Sequence, residues 1–237
     1  MADSEFEFRS ERGRADLNPY VDRIHEFAPY TVLAEDSVAS RGRWREEIGV
    51  QGPLILEIGP GNGFFFRAVC ERFAHCALVG LEIRFKRVYL TARKARQAGL
   101  TNLRVVHHHS GYLGDVFAPR ELNAVFINHP DPWPKDRHHK HRLLQPEFGA
   151  LLADLVQPGG EVWVQSDFTP YGPLAREVFG TEAWEPIAYT DDLHGDAQQL
   201  LANPPDCAFW AADIQTNYEE KSIRKGETIV LAGFRRR

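Results

Sequence analysis

From Leu54 onward, short runs of apolar residues alternate with segments of helical composition. The first run, LILEIG, ends in a glycine-rich turn, and a helix over about 64–73 is predicted to follow it. The pattern continues through CALVGLEI, a basic helix at Lys86–Gln97, and the runs NLRVV, AVFIN and EVWVQS. Strands that alternate with helices form a mostly parallel sheet covered by helices on both faces. The sequence therefore predicts an α/β fold whose last strand is ETIVLAGF.

The organisation around this core is also predicted from the pattern. Residues 1–50 are charged and interrupted by Pro and Gly, and we expect an N-terminal extension packed on the core, with one domain over residues 51–237. Further helices are expected at Pro146–Val156, where PGG ends the helix, and near Leu174–Phe179. The stretch from Thr190 to Lys225 has no clear period and is expected to be irregular.

Composition narrows the class of protein. With 43% hydrophobic and 26% charged residues in 237, the chain has the make-up of a folded soluble domain. Its net charge of -5 argues against a general nucleic-acid coater, so any contact with nucleic acid requires a local basic patch. Three cysteines without a C-x-x-C pair indicate a reducing compartment, and no apolar run is long enough to cross a bilayer. We expect a soluble, cytoplasmic protein without a membrane contact.

The turn after the first strand has the pattern E-x-G-x-G-x-G, formed by Glu57, Gly59, Gly61 and Gly63. The glycines allow a ligand to approach the backbone at the carboxyl end of the strand. A carboxylate before the loop suits a positively charged ligand better than a pyrophosphate. Glu82 ends the next strand, 19 residues after Gly63, close to where an acid binds both ribose hydroxyls. The alternative is a glycine turn with no ligand.

Together these residues resemble the S-adenosylmethionine site of class I methyltransferases. The resemblance implies a Rossmann-like sheet of seven strands, mostly parallel, with the last strand antiparallel.

The segment 127–148, INHPDPWPKDRHHKHRLLQPEF, carries the most specific motifs. DPWPK, RHHK and LLQPEF, together with GLEIRFKRV, AGLTNLRVV, PGGEVWVQSDF and TNYEEKSIRKG, are similar to the signature of the bacterial tRNA (guanine-N7-)-methyltransferases. The similarity extends over roughly residues 50–237 in the family's order. It implies methyl transfer from S-adenosylmethionine to N7 of the variable-loop guanosine of tRNA (position 46).

The resemblance implies roles for individual residues. Asp131 of DPW takes the catalytic position, because its carboxylate would face the guanine as the ring becomes cationic. Guanine N7 carries no proton, so the reaction needs alignment and a favourable field but no general base. The residues implied for the cofactor are Glu57, Gly59, Gly61, Gly63, Glu82, His109 and Asp131.

The RNA side is carried over in the same way. The residues implied for the substrate are Lys135, Arg137, His138, Asp167, Thr216, Asn217, Tyr218 and Glu219. Arg142, like Arg137 and His138, is expected to add a phosphate contact or to position the flipped nucleotide, and Trp133 to offer a stacking surface for a splayed-out base. The alternative for the basic run 135–142 is a solvated surface loop.

Three positions depart from the family pattern. His109 stands where the family has an Asp near the adenine, Asn217 replaces a more familiar Lys or Arg, and INHP precedes DPW where an aromatic pair is usual.

Other functions stay open on the sequence. The ten histidines suggest a metal, but adjacent histidines on a strand point to opposite faces, and we expect no metal. Two rival functions are a methyltransferase for another RNA base or a protein, and an RNA-binding scaffold with the same fold and little or no activity. Monomer and homodimer are both compatible with the sequence.

Overall fold

The computed structural model describes residues 18–202 and 205–237, and within them eight strands form one sheet. The strands are β1 Thr31–Val32, β2 Leu54–Ile58, β3 Ala77–Glu82, β4 Leu103–His107, β5 Leu122–Asn128, β6 Val156–Ser166, β7 Trp184–Thr190 and β8 Val230–Arg236. Their order across the sheet is β1-β4-β3-β2-β5-β6-β8-β7. Strand β8 runs antiparallel to both of its neighbours, and the other pairs are parallel. The predicted fold class is confirmed, and the two-residue β1 adds a strand at the edge beside β4.

Helices cover both faces of the sheet. The α-helices are α1 Pro19–Arg23, α2 Ala34–Ala39, α3 Trp44–Ile48, α4 Phe64–Arg72, α5 Phe85–Gln97, α6 Leu113–Val116, α7 Pro146–Leu155, α8 Tyr171–Val178, α9 Ala197–Ala202 and α10 Asn217–Arg224. Short 3₁₀ helices lie at Ile24–Phe27, Ser110–Tyr112 and Asp136–His141. Among the residues described, no helix combines the length and apolarity needed to cross a membrane.

The segment from Thr190 to Lys225 is not irregular, as its composition suggested, because it contains α9 and α10. Helix α10 is polar and short, but it begins with a capping box in which Thr216 and Glu219 bond each other's backbone N–H groups. Strand β7 was not located because Pro186 interrupts it, and the pairing register shifts between Pro186 and Ala188. PGG was predicted to end the helix that begins at Pro146. In the structure that helix ends earlier, at Leu155, and β6 begins at Val156 and includes PGG.

The sheet separates two apolar layers, and its central strand contributes to both. Leu54, Leu56 and Ile58 of β2 pack in one layer, and Ile55 packs in the other. All four side chains are buried. Alternation of this kind is what a strand covered on both faces requires.

Part of the segment before β2 joins these layers. Trp44 is fully buried and donates its indole N–H to the Val116 carbonyl at 2.9 Å. Ile24 and Phe27 pack in the opposite layer. Residues 1–17 of the expected extension lie outside the described residues, and the division at residue 50 stays a prediction.

The strand order reverses beside β2, which pairs with β3 on one side and β5 on the other. The loops that leave these strands at their carboxyl ends therefore diverge and leave a crevice between them. This edge carries the glycine-rich turn, Glu82 and the DPW segment.

Candidate active site

A cavity of about 850 Å³ occupies this edge of the sheet. It is lined by the ends of β2, β3 and β5, by the loop after β4 and by the start of α10. It brings together all seven residues predicted for the cofactor, namely Glu57, Gly59, Gly61, Gly63, Glu82, His109 and Asp131. Of the residues predicted for the substrate, it includes Thr216, Asn217 and Tyr218.

The glycine-rich turn has a left-handed backbone at each of its three glycines. A side chain at Gly63 (φ 74°) would collide with Thr91 of α5, with contacts of 2.7 to 2.9 Å, so this glycine lets the turn pack on the helix. A side chain at Gly59 (φ 72°) would meet nothing within 4 Å. Since Gly59 also lines the cavity, its missing side chain leaves room for a ligand against the backbone.

Glu57 is more deeply buried than Glu82, the other buried acid of the cavity lining, with 3% of its surface exposed against 8%. Its Oε1 accepts a hydrogen bond from Asn128 Nδ2 at 3.2 Å, and its Oε2 has no hydrogen-bond partner among the described residues. Burial raises the pKa of Glu57 to about 8, the bond from Asn128 opposes this, and the nearby charge of Glu82 adds to it. A buried carboxyl of this kind holds either a proton or a cationic ligand.

Glu82 connects the end of β3 to the glycine-rich turn. Its Oε2 accepts from the Gly61 N–H at 3.2 Å and its Oε1 from the Arg84 N–H at 2.9 Å. Burial raises the pKa of Glu82, while these two backbone bonds lower it. Each carboxylate oxygen has a further lone pair, so Glu82 can still accept hydrogen bonds from the hydroxyl groups of a ligand.

The histidines after β4 face different surroundings. His107 stacks on the Phe85 ring with centroids 3.7 Å apart, away from the cavity lining. His108 and His109 line the cavity. His109 Nδ1 accepts from the Gly111 N–H at 2.9 Å, which orders the turn where the family pattern has an Asp. Burial lowers the pKa of His108, and no motif in the sequence indicates that His108 lines the cavity.

Two side chains fix the DPW loop by hydrogen bonds to its backbone carbonyls. Tyr171 donates to the backbone carbonyl of Asp131 at 2.7 Å, and the Arg142 guanidinium donates to the carbonyls of Pro132 and Trp133 at 3.0 and 3.2 Å. The Asp131 carboxylate is left exposed at the cavity. The Arg142 guanidinium also lies 5.4 Å from the centre of the Phe168 ring, and Arg142 is part of the cavity lining, so its expected contact with phosphate or with the flipped nucleotide stays a prediction.

The remaining predicted substrate residues lie outside the cavity lining. Lys135 and Arg137 are exposed, at the start of the basic turn that leads into α7. His138 packs edge to face against Trp133, a residue that is 38% exposed, with ring centroids 5.6 Å apart. From the same turn, Lys140 and His141 reach the cavity, which the sequence did not indicate.

Asp167 and Glu219 are engaged by the protein itself. Asp167 Oδ1 lies 3.2 Å from His129 Nδ1, and its Oδ2 accepts from Ser222 Oγ at 3.0 Å. The bond from His129 is the main cause that lowers the pKa of Asp167 to about 2. Glu219 is fully buried, and its Oε2 accepts from the Thr216 N–H and from Gln165 Nε2. In this structure Glu219 shapes the start of α10 and presents no surface to a ligand.

Comparison with known proteins places the chain in a family. A family model described as "Putative methyltransferase" matches residues 51–232. The tRNA (guanine-N(7)-)-methyltransferase of Acidithiobacillus ferrooxidans is 35% identical over 205 residues, which cover 86% of this chain and 85% of that protein. The protein of the same name from Syntrophotalea carbinolica is 36% identical over 173 residues, which cover 71% and 74%. The chain belongs to the tRNA (guanine-N(7)-)-methyltransferase family.

Solved structures agree on the fold of this tRNA (guanine-N(7)-)-methyltransferase family member. The 16S rRNA methyltransferase KamB matches with a TM-score of 0.56 at 15% identity, over 81% of this chain and 92% of that one. TrmN from Thermus thermophilus matches with a TM-score of 0.54 at 13% identity, over 78% and 44%. The resemblance drawn from DPWPK, RHHK and TNYEEK is therefore confirmed at the level of family and fold.

Three side chains that hold the site were missed on the sequence. They are Asn128, which bonds Glu57, Tyr171, which bonds the Asp131 carbonyl, and His129, which bonds Asp167. In the sequence, INHP is notable only as a departure from the family pattern. In the structure its two middle residues, Asn128 and His129, contact the predicted site residues Glu57 and Asp167. Within the described residues, no group of three or more His, Cys, Asp or Glu side chains is arranged to share a metal ion.

Proposed function

We propose that this chain transfers a methyl group from S-adenosylmethionine to N7 of the variable-loop guanosine (position 46) of tRNA. One observation carries the proposal. The exposed Asp131 carboxylate lines the same cavity as the buried Glu57 and the ribose-type acid Glu82. A site that holds a cationic donor and a purine together needs acids on both sides. The names of the relatives at 35% and 36% identity support the same reaction and the same class of RNA.

The residues of the cavity fit S-adenosylmethionine. When bound, this cofactor supplies an electrophilic methyl group on a positively charged sulfonium. Glu57 offers a buried oxygen without a partner, which suits the positive charges of the methionine part. Glu82 has lone pairs for the two ribose hydroxyls, and the left-handed turn at Gly59 and Gly61 leaves its backbone open to the ligand. His109 stands on the loop where an adenine would lie.

Asp131 is suited to the guanine side of the reaction. Its carboxylate can accept hydrogen bonds from N1–H and the exocyclic amine of guanine, which orients N7 away from the acid. The purine becomes cationic as N7 is methylated, and a nearby fixed negative charge stabilises that change. No proton has to leave N7, so the site needs no general base. Tyr171 and Arg142 contribute by fixing the loop that carries Asp131.

The surface next to the cavity suits an RNA backbone. Lys135, Arg137 and Lys140 are exposed on one turn beside Trp133. Such side chains neutralise phosphates without reading sequence, and an exposed indole can stack on a base that has left its helix. This local patch answers the objection that the chain as a whole carries a charge of -5.

The proposal is tested with a tRNA transcript, labelled S-adenosylmethionine and the full chain. We expect one methyl group per tRNA, recovered as N7-methylguanosine by mass spectrometry of nucleosides, and chain scission at the variable loop after borohydride and aniline treatment. The control is a transcript with adenosine in place of the variable-loop guanosine, which should accept no methyl group.

Two results would reject the proposal in different ways. Methylation of another base atom, without borohydride-dependent scission, would indicate a methyltransferase of different specificity. No methyl transfer, with no binding of millimolar S-adenosylmethionine in calorimetry, would favour an RNA-binding scaffold.

A further inference from the structure

His129 stands at the corner between β5 and the DPW loop, and its side chain is 4% exposed. Both ring nitrogens are engaged. Nδ1 lies 3.2 Å from Asp167 Oδ1, and Nε2 lies 2.9 Å from Thr216 Oγ1. One imidazole ring thereby connects β5 to residues that are 38 and 87 positions away along the chain.

The backbone at this corner is unusual for a residue with a side chain. His129 has φ 47°, in the left-handed region, and its N–H donates to the Gln165 carbonyl at 2.7 Å. Trp133 has φ 41°, so two left-handed residues bracket Pro130, Asp131 and Pro132. Such conformations persist when surrounding contacts enforce them, and they concentrate at functional sites. The contacts of the His129 ring are of that kind.

The ring has a partner on each side whichever nitrogen carries its proton. With the proton on Nε2, the ring donates to Thr216 Oγ1, and Nδ1 accepts from the Asp167 backbone N–H at 3.3 Å. With the proton on Nδ1, the ring donates to Asp167, a carboxylate that stays ionised because its pKa is lowered to about 2. Nε2 then accepts from the Thr216 hydroxyl, which in turn accepts from the Glu219 N–H at 3.0 Å. Ser222 of α10 donates to the other oxygen of Asp167.

The ring therefore ties three separate elements to one another. They are the DPW corner after β5, Asp167 directly after β6, and the first turn of α10 with its N-cap, which contributes Thr216 and Tyr218 to the cavity. The Tyr218 ring also stacks on His129, with centroids 5.7 Å apart and planes at 29°. The partners of the His129 ring are therefore residues predicted to bind the substrate, and not residues of the apolar core.

We propose that His129 is a positioning residue for methyl transfer, which fixes the Asp131 corner at a set distance from Asp167 and the start of α10. This rests on the function proposed above. A guanine held between Asp131 and the α10 side would then meet the methyl donor at one distance and angle. Displacements of about 1 Å at a reacting centre can lower rates about 100-fold. His129 is part of the cavity lining, but its side chain is 4% exposed and both ring nitrogens have protein partners, so we do not expect the ring to bond to the base.

The test compares two substitutions at the same corner. His129→Gly keeps a left-handed backbone and removes the ring, whereas His129→Asn tolerates the same backbone and keeps an amide that can reach one partner. We expect H129G to lower kcat for tRNA methylation by about 10- to 100-fold, with the Kd for S-adenosylmethionine within about twofold of wild type. H129N should recover part of the lost kcat.

Two further variants separate positioning from loss of fold. Trp44→Phe removes a buried hydrogen bond between two residues that do not line the cavity, and it should lower the melting temperature without a change in kcat. Asp167→Asn alters the partner and leaves the His129 backbone untouched, and combined with H129N it should cost little more than H129N alone, because both disturb one contact.

Clear results would overturn the inference. H129G with kcat within about threefold of wild type would show that the ring does not position the site, and so would additive losses in the double variant, since independent residues add. If wild type methylates an atom other than guanine N7, the proposed function fails, and the positioning role is then judged by the same kcat comparison on the observed product.

Discussion

Asn128, the last residue of β5, donates from Nδ2 to Oε1 of Glu57, the last residue but one of the neighbouring parallel strand β2, at 3.2 Å. This one bond fixes a buried carboxyl beside the DPW corner and leaves its second oxygen for a ligand. The next residue after Asn128 is His129, so a single dipeptide supports the acid predicted for the donor side and the corner predicted for the substrate side.

The binding of S-adenosylmethionine should depend on pH through Glu57. In the free protein the pKa of Glu57 is about 8, so near pH 7 the carboxyl holds a proton. A cationic ligand favours the ionised form and lowers that pKa, so binding releases a proton. The affinity should rise by up to about tenfold per pH unit from pH 6 to 8 and level off above it. Calorimetry at pH 7 in two buffers of different ionisation enthalpy measures the proton release.

Glu57→Gln is the matched control for this measurement, because it cannot ionise. E57Q should bind more weakly and lose the part of the proton release that belongs to Glu57. An unchanged proton release in E57Q would assign the effect to another group, such as the amine of the cofactor.

The same substitution should stabilise the fold at alkaline pH. The folded pKa of Glu57 is raised above its unfolded value of about 4.5, so the native state holds a proton that the unfolded state has lost. Stability is therefore lost as pH rises from about 4.5 through about 8. We expect E57Q to match wild type near pH 4.5 and to exceed it by about 1–3 kcal/mol at pH 8. Denaturant titrations at both values measure this, and a less stable E57Q at pH 8 would contradict the assignment.

Two glycines allow the effect of a side chain on ligand binding to be separated from its effect on backbone strain. Gly59 and Gly49 have φ 72° and 82°, and a side chain at either would meet nothing within 4 Å. Alanine at each should cost about 1 kcal/mol of stability from the left-handed backbone alone. Only Gly59 lines the cavity, so G59A should also weaken S-adenosylmethionine binding about tenfold or more, while G49A binds like wild type. Equal binding by both variants would mean that the ligand does not approach this backbone.

Much of the fold could be predicted because buried parallel strands are continuous apolar runs, as in LILEI and LVGLE. The strands near the ends were harder. β1 has two residues, and Pro186 disrupts the alternation of β7. Helix α10 is held by its capping box and by Ser222, since its sequence NYEEKSIR has few apolar residues.

The site was predictable where it depends on a local pattern and not where it depends on distant contacts. The glycine turn, Glu82 and Asp131 all line one cavity, as the motifs imply. The contact of His129 with Thr216 joins residues 87 positions apart, and no spacing in the sequence indicates it. The motif could not show either that Arg142 bonds loop carbonyls, because an arginine in a basic run has the same sequence signal whether it faces solvent or backbone.

The affinity for tRNA should depend on salt through the exposed basic turn. Lys135→Gln and Arg137→Gln should each reduce the slope of log K against log salt by about 1, with similar losses for different tRNAs. Arg120→Gln is the control, because Arg120 is exposed just before the amino end of β5, whereas the basic turn follows the carboxyl end of this strand. Filter binding at several salt concentrations between about 50 and 200 mM gives these slopes. If the three variants have identical slopes, the basic turn does not contact the RNA backbone.

The most direct test of the account is the single-turnover rate of N7 methylation by Asp131→Asn, at saturating tRNA and S-adenosylmethionine. D131N keeps the shape of the side chain and removes the charge that would face the purine. We predict a rate about 100-fold below wild type, with the Kd for S-adenosylmethionine changed by much less. A D131N rate equal to wild type at saturation, or a loss of rate wholly explained by weaker cofactor binding, would contradict the role of Asp131 in stabilising the methylated guanine.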